Sequence, residues 1–135
     1  MNLTQMVETT LKSFRQDIPE YVGSGVVDLS TGMLLGFDTL DEQPREILDV
    51  MGAAVADLFA GRTISQIESM WRRHHELVDG RRSLQEVLIR NAGLVLLLLH
   101  SPHDDIVTAV ACRRDVNIGM LLAQARHVMR EFDMN

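Results

Sequence analysis

Residues 93–114 read GLVLLLLHSPHDDIVTAVACRR, which is two apolar runs joined by a short polar segment. The first run, Leu94 to Leu99, is continuously apolar, and this pattern is typical of a strand covered on both faces. The intervening Ser-Pro-His-Asp has turn chemistry. The second run, Ile106 to Cys112, then returns as the partner strand. The stretch therefore predicts a β-hairpin in the middle of a sheet.

The flanking segments predict helices laid against this sheet and further strands beside it. Apolar residues at helical spacing predict helices over residues 2–17, 43–60, 63–79 and 116–133. Residues 21–39 predict a second hairpin that turns at residues 30–32. Residues 83–90 fit either a helix or a strand, and we predict a strand because the run at 94–99 needs a neighbour. With no repeat or linker, residues 1–135 form one predicted domain.

The helix predicted at 43–60 has two faces of interest. We expect one apolar face to meet the core, and it is formed by Ile47, Leu48, Met51, Ala54, Val55 and Leu58. Roughly opposite, small residues recur every four positions at Gly52, Ala56 and Ala60, with Ala53 beside them. Small side chains let another backbone approach closely. The row therefore indicates either tight packing on the protein's own sheet or contact with a second copy of the chain.

Composition excludes several classes of function. The net charge of -6 argues against nucleic acid and anionic membranes, because both require a basic surface. No apolar run approaches the roughly 20 residues needed to span a bilayer. The N-terminus shows no secretory signal, and the single cysteine, Cys112, lies inside an apolar run. We therefore expect a cytoplasmic protein with no membrane insertion and no nucleic-acid partner.

No catalytic, cofactor-binding or metal-binding set emerges from the candidate residues. His100, His103, Asp104 and Asp105 have metal-ligand chemistry, but their spacing is typical of a solvated turn. His74, His75 and Glu76 are adjacent on a helix, so they point about 100° apart. Ser24 and Ser101 lack a nucleophile-elbow context. We therefore predict that the chain is not an enzyme.

A basic cluster lies in and after the third predicted helix. Such charges form either a solvated face or a contact surface for an acidic partner. Its members are Arg72, Arg73, Arg81 and Arg82.

The order of elements resembles the roadblock/LC7 family. The residues that carry the resemblance are Gly25-Val26-Val27-Asp28 running into Thr31-Gly32-Met33-Leu34-Leu35, the long helix after Pro44, the strand pair at 94–112, and Asn117-Ile118-Gly119. The resemblance implies an α/β (α+β) fold. It has a single antiparallel five-stranded sheet, helices on both faces and profilin-like layering.

The resemblance also implies a role and an assembly. Such domains form homodimers through the helix at 44–60 and through the strand near 84–90, which holds Val87 and Ile89. They regulate Ras-like small GTPases in bacteria or scaffold signalling complexes elsewhere, and we predict no cofactor for this chain. One departure is that Gly61-Arg62-Thr63 interrupts the usual single long helix, which makes residues 63–79 an extra helix or a bent continuation.

Two other classes of function remain open from the sequence. A sensory module that binds a small ligand on a profilin-like or PAS-like sheet requires a sizeable apolar cavity between sheet and helices. An enzyme of unrecognised type requires a pocket with convergent polar groups.

Overall fold

A computed structural model describes residues 2–42, 45–75, 84–101 and 105–134. The elements in chain order are α1 (Leu3–Asp17), β1 (Tyr21–Asp28), β2 (Met33–Thr39), α2 (Arg45–Ala60), α3 (Arg62–His75), β3 (Glu86–Arg90), β4 (Leu94–Ser101), β5 (Ile106–Arg113) and α4 (Ile118–Met134). The five strands form one sheet in the order β2-β1-β5-β4-β3, and every neighbouring pair is antiparallel. The predicted five-stranded antiparallel sheet is thereby confirmed.

The predicted central hairpin is also confirmed. β4 and β5 pair from Leu94 opposite Arg113 to Ser101 opposite Ile106. Successive side chains of β5 alternate between the two faces of the sheet, as strand geometry requires. Val107 points to one core cluster and Val110 to the other. Since both faces of this hairpin are covered, an apolar run with few polar interruptions is the sequence pattern to expect.

One face of the sheet is covered by α1 and α4. The N-terminus of α1 is held by a capping box in which Asn2 Oδ1 accepts from the Gln5 backbone N–H at 2.9 Å. Phe14 of α1, Leu121 of α4 and Leu97 of β4 are fully buried between these helices and the sheet. This face holds the larger of the two apolar clusters and provides most of the core.

Among the described elements, α2 is the helix that covers the other face of the sheet. Val55 and Phe59 of α2 pack into a smaller cluster with Leu98 and Val107. In the described residues, α3 packs against α2 rather than against the sheet. A single helix is too narrow to cover five strands, so part of this face stays open.

The break between α2 and α3 lies at Gly61. Its backbone N–H donates to the Asp57 carbonyl oxygen at 2.8 Å, and a methyl group at this position would collide with that same oxygen. Glycine is therefore required where α2 ends, and α3 starts as a separate helix at Arg62. Residues 76–79, the end of the helix predicted at 63–79, lie outside the described residues.

The ambiguous segment at 83–90 forms a strand, as predicted. β3 pairs antiparallel with β4, from Glu86 opposite Leu99 to Arg90 opposite Val95. Among the described strands, β3 pairs with β4 alone and is therefore an edge strand of the sheet. At the opposite edge, β2 carries a bulge next to Gly36.

Candidate protein-interaction surface

The small-residue row of α2 faces the protein's own sheet at two of its positions. Gly52 is buried, and a methyl group there would lie 3.2 Å from the Gly32 carbonyl oxygen and 3.6 Å from the Leu34 backbone nitrogen. Ala56 is half-buried above the turn at Gly32, which adopts a positive φ of 72°. Gly52 and Ala56 therefore let α2 sit close to the β1–β2 hairpin. The other two small residues, Ala53 and Ala60, are exposed.

The expectation that the predicted apolar face of α2 meets the core is wrong for three residues. Met51 is 47% exposed and Leu58 is 38% exposed, and Ala54 is also exposed. Val50, which is not among the residues of the predicted face, is 69% exposed. Of that predicted face, Val55 lies in the core as expected, and the side chains of Ile47 and Leu48 lie outside the description.

The physical reason is that α2 is apolar on more than one side. When a helix carries two apolar stripes, helical spacing alone does not show which stripe meets the sheet. The backbone of the β1–β2 turn approaches α2 closely, so the stripe with small residues fits there. The bulkier stripe, which holds Val50, Met51, Ala54 and Leu58, turns outward and is called the outward stripe. The sequence still gives one sign of the exposed stripe, because α2 has more apolar residues around it than one buried face requires.

An apolar cleft of about 420 Å³ lies between the outward stripe of α2 and the open part of the sheet. Small residues form much of its floor, and α2 forms one wall. The floor includes Gly23, Gly25, Ala109 and Ala111, the α2 wall has Met51, Ala54 and Leu58, and the remaining lining includes Phe37, Ile89, Leu94 and Leu96. Few polar side chains line the cleft, so it suits an apolar surface rather than acid–base chemistry.

The predicted interface residues of β3 border this cleft. Val87 and Ile89 are half-buried and pack on the α2 side of the sheet, and Ile89 lines the cleft itself. Leu88 points to the other face and is 40% exposed. The outer backbone groups of an edge strand are a ready template for pairing with another chain. Within the part of the chain that the structure describes, the edge of β3 and the apolar cleft therefore lie together.

The basic cluster is only partly described. Arg72 is half-buried, and its Nη2 lies 3.6 Å from Glu68 Oε2 one turn earlier in α3. Arg73 is exposed on the same helix. Arg81 and Arg82 lie outside the described residues, so the predicted grouping of four arginines stays a prediction.

A partly buried polar network ties α1 to β1 and β2 on the opposite side of the sheet. The Tyr21 hydroxyl donates to Asp38 Oδ2 at 2.7 Å and shares a hydrogen bond of 2.8 Å with Ser24 Oγ. Arg15 Nε donates to the same carboxylate at 2.7 Å. This guanidinium lowers the pKa of Asp38, and burial raises the pKa of Tyr21. Since these groups satisfy one another, the network stabilises the packing of α1.

The remaining candidates for chemistry are dispersed. His100 Nε2 lies 3.6 Å from Asp105 Oδ1, and the imidazole packs 5.9 Å from the Phe59 ring. His103 and Asp104 lie outside the description. Burial raises the pKa of the Cys112 thiol to about 11. Within the described ranges, no group of three or more His, Cys, Asp or Glu side chains is placed to hold a metal ion, and no helix is long and apolar enough to cross a bilayer.

Known structures show the same arrangement of elements. The gliding protein MglB from Thermus thermophilus superposes with a TM-score of 0.74 at 11% identity, over 99% of this chain and 91% of that one. MglB from Myxococcus xanthus superposes with a TM-score of 0.72 at 10% identity, over 99% and 90%.

A roadblock/LC7 domain from Streptomyces avermitilis superposes with a TM-score of 0.64 at 16% identity, over the full length of both chains. No protein-family model and no curated protein sequence matches this chain. The likeness is therefore one of architecture, and it spans nearly the whole molecule. On that evidence, the chain has the roadblock/LC7 fold.

Proposed function

We propose that the chain is a non-catalytic regulatory or adaptor domain that works as a homodimer and binds a Ras-like small GTPase. One observation carries the proposal: the apolar cleft beside α2 is open to solvent, and its wall is an exposed stripe of large apolar side chains. Contiguous apolar surface of this kind on a folded domain marks a protein interface.

A second copy of the chain is the occupant that best fits the cleft. In a two-fold dimer both copies use the same patch. The α2 side chains that line the cleft of one copy must therefore fill the cleft of the other. The outward stripe of α2 meets this requirement, because Met51 and Leu58 line the cleft that needs covering and the neighbouring Val50 is exposed. Among proteins of this fold, one solved structure is described as MglB with a tetrameric arrangement. We transfer self-association to this chain as part of the proposal.

The proposed interface differs from the one expected on the sequence. Gly52 and Ala56 act indirectly, by setting how closely α2 sits on its own hairpin, whereas Ala53 and Ala60 remain candidates for contact. The side chains in direct contact are those of the outward stripe. In the proposed dimer, β3 of each copy pairs with β3 of the other, so Val87 and Ile89 lie where the two sheets join.

The GTPase is proposed to supply its own catalytic groups. In this proposal, the effect of the chain on GTP hydrolysis acts through residues of the partner, which it holds in position. The dimer would present both α2 helices side by side and thereby form a surface that one copy lacks.

The GTPase proposal is tested with a Ras-like GTPase encoded beside the gene for this chain. We expect the chain to bind the GTP-loaded form more tightly than the GDP-loaded form and to change the rate of phosphate release. Met51→Glu removes the dimer in this account and is expected to remove the effect. Met120→Glu is the matched control, because Met120 is 54% exposed on α4, across the sheet. The absence of both binding and rate change contradicts the GTPase proposal.

A second candidate function is a sensory module for an apolar ligand. The volume of the cleft favours it, since small-molecule sites occupy about 300–1,000 Å³. The two candidates differ in how an apolar fluorescent dye responds to protein concentration. If a second copy fills the cleft, dye bound per chain falls as the protein is concentrated. If the cleft is a ligand site, dye bound per chain is independent of protein concentration.

A further inference from the structure

The outer edge of β3 presents the backbone groups of alternate residues. Between β3 and β4, the His100 N–H donates to the Gln85 carbonyl oxygen at 2.8 Å, and the Asn91 N–H donates to the Leu94 carbonyl oxygen at 3.1 Å. Bonded pairs of an antiparallel ladder recur at every second residue, so residues 85, 87, 89 and 91 direct their backbone groups to β4. The N–H and C=O groups of residues 86, 88 and 90 therefore point away from β4, toward the outer edge.

The side chains of these three residues share the α4 side of the sheet and differ in charge. The Glu86 carboxylate accepts from Arg126 of α4 at 2.7 and 2.8 Å, and this guanidinium lowers the pKa of Glu86. Leu88 is 40% exposed. Arg90 is exposed as well and forms no ion pair within the described ranges. β3 therefore has an acid near one end, an apolar residue in the middle and a base at the other end.

This arrangement makes β3 complementary to itself. If a two-fold axis passes through the middle of two antiparallel β3 strands, Leu88 lies opposite its own copy and Glu86 lies opposite Arg90 of the second copy. These pairs exchange backbone hydrogen bonds, because their N–H and C=O groups point outward. On the α2 side, Val87 lies opposite Ile89 of the second copy, and both side chains pack against the apolar cluster of that face.

The other two-fold registers fit less well. A register centred on Glu86 or on Arg90 sets two like charges directly opposite each other, which is destabilising. A register centred on Val87 sets Arg90 beyond the end of the second β3 strand, and one centred on Ile89 does the same to Glu86. Only the register centred on Leu88 pairs all five residues of β3 and sets opposite charges together.

We propose that Glu86 and Arg90 select the partner of this edge, and that the partner is a second copy paired in the register centred on Leu88. Each dimer then holds two Glu86–Arg90 pairs across the junction, beside the Arg126 contacts, because a carboxylate has enough lone pairs to accept from two guanidinium groups. An edge strand without an acid and a base four positions apart is disfavoured. This inference rests on the homodimer of the proposed function and adds what decides which chain can join it.

Exchange of the two charges tests the proposal. Arg90→Glu sets like charges together twice in each dimer, and so does Glu86→Arg. We expect each variant alone to raise the dimer dissociation constant about 30-fold in sedimentation equilibrium. An equimolar mixture restores both attractive pairs in the mixed dimer, so we expect it to dimerise about as tightly as the wild type. Glu86→Arg also loses the contact with Arg126, but this loss is the same alone and in the mixture.

The matched control is Arg114→Glu. Arg114 is exposed just beyond the end of β5, so its reversal changes the net charge as Arg90→Glu does without touching the edge of β3. We expect this variant to dimerise as tightly as the wild type.

Amide hydrogen exchange of the wild-type chain, resolved by residue, is a second measurement that needs no substitution. We expect the Leu88 N–H to exchange more slowly as the protein is concentrated, because in this account it is bonded only in the dimer. The N–H groups of Val87 and Ile89 already face β4, so their exchange should change less.

The possible failures are distinguishable. If the wild type dimerises and Arg90→Glu dimerises as tightly, or the mixture is no tighter than either variant alone, the proposal is overturned and the homodimer stands. Exchange of the Leu88 N–H that is independent of concentration in a chain that dimerises overturns the proposal in the same way. A wild-type chain that stays monomeric removes the homodimer and this inference together, as expected if a strand of another protein occupies the edge.

Discussion

Gly52 separates the two interpretations of the small-residue row on α2. We consider Gly52→Val, which places a branched side chain where α2 meets the β1–β2 turn. The first carbon alone would lie 3.2 Å from the Gly32 carbonyl oxygen, so helix or turn must shift by a few tenths of an ångström. Overpacking of this kind costs about 1–3 kcal/mol. Replacing glycine by valine inside a helix stabilises the fold by about 0.4 kcal/mol through helix propensity. We therefore expect the free energy of unfolding to fall by about 2 kcal/mol in total.

The control is Ala53→Val, one residue along the same helix. Ala53 is exposed, so only the lower helix propensity of valine applies, at a cost of about 0.6 kcal/mol. Urea unfolding followed by circular dichroism, at one fixed protein concentration, gives the free energy of unfolding of both variants. If Gly52→Val leaves this free energy unchanged and instead weakens self-association in sedimentation, the row is an intermolecular contact and the packing argument is wrong.

Three further predictions concern side chains away from the cleft. The pKa of Asp38 lies below its ordinary 3.8 because Arg15 donates to it, so the charged carboxylate stabilises the fold fully above pH 3.8 and loses this effect as the pH falls further. Asp38→Asn should therefore flatten the drop in melting temperature below about pH 4. Cys112 is buried with its pKa raised to about 11, so the thiol of the native protein should react with a disulfide reagent at pH 8 far more slowly than the thiol of the unfolded chain. The free energy of unfolding should also fall as the pH rises from about 9 to 11, and Cys112→Ala should remove this effect. Arg126 forms a bidentate pair with Glu86, at 2.7 and 2.8 Å, that ties α4 to β3. Arg126→Ala should therefore speed amide hydrogen exchange in residues 86–90, and unchanged exchange there contradicts a role for the pair in holding this edge of the sheet.

Hydrophobic patterning was enough to locate the main elements of the fold. The apolar run at 94–99 had to be a covered strand, and this in turn required a neighbour, which resolved the ambiguous segment as β3. The capping residues Asn2 and Gln5 marked the start of α1, and Gly61 marked the end of α2. Each of these signals acts over a few residues, so the sequence carries it locally.

The candidate surface was harder to predict because it depends on packing between distant residues. Gly52 and Met51 are neighbours in α2, and only the approach of the turn at Gly32 decides which of them faces the sheet. The floor of the cleft joins Gly25 of β1 and Ala109 of β5, which are far apart in the chain. The sequence alone gives no sign that small residues from several strands leave this face unfilled.

The central claim is that two copies of the chain bury the outward stripe of α2. Met51 is 47% exposed, and complete burial of a methionine contributes about 2 kcal/mol, so its share is about 1 kcal/mol per copy and about 2 kcal/mol per dimer. Met51→Glu should therefore weaken the dimer by at least about 30-fold, and further because a charge is desolvated.

Sedimentation equilibrium of the wild-type chain, Met51→Glu and the control Met120→Glu tests this claim most directly. We expect a mass of about twice 15.2 kDa for the wild type and the control at micromolar concentration, and 15.2 kDa for Met51→Glu. A wild-type chain that remains at 15.2 kDa at every concentration, or a Met51→Glu variant that dimerises as tightly as the wild type, contradicts the account.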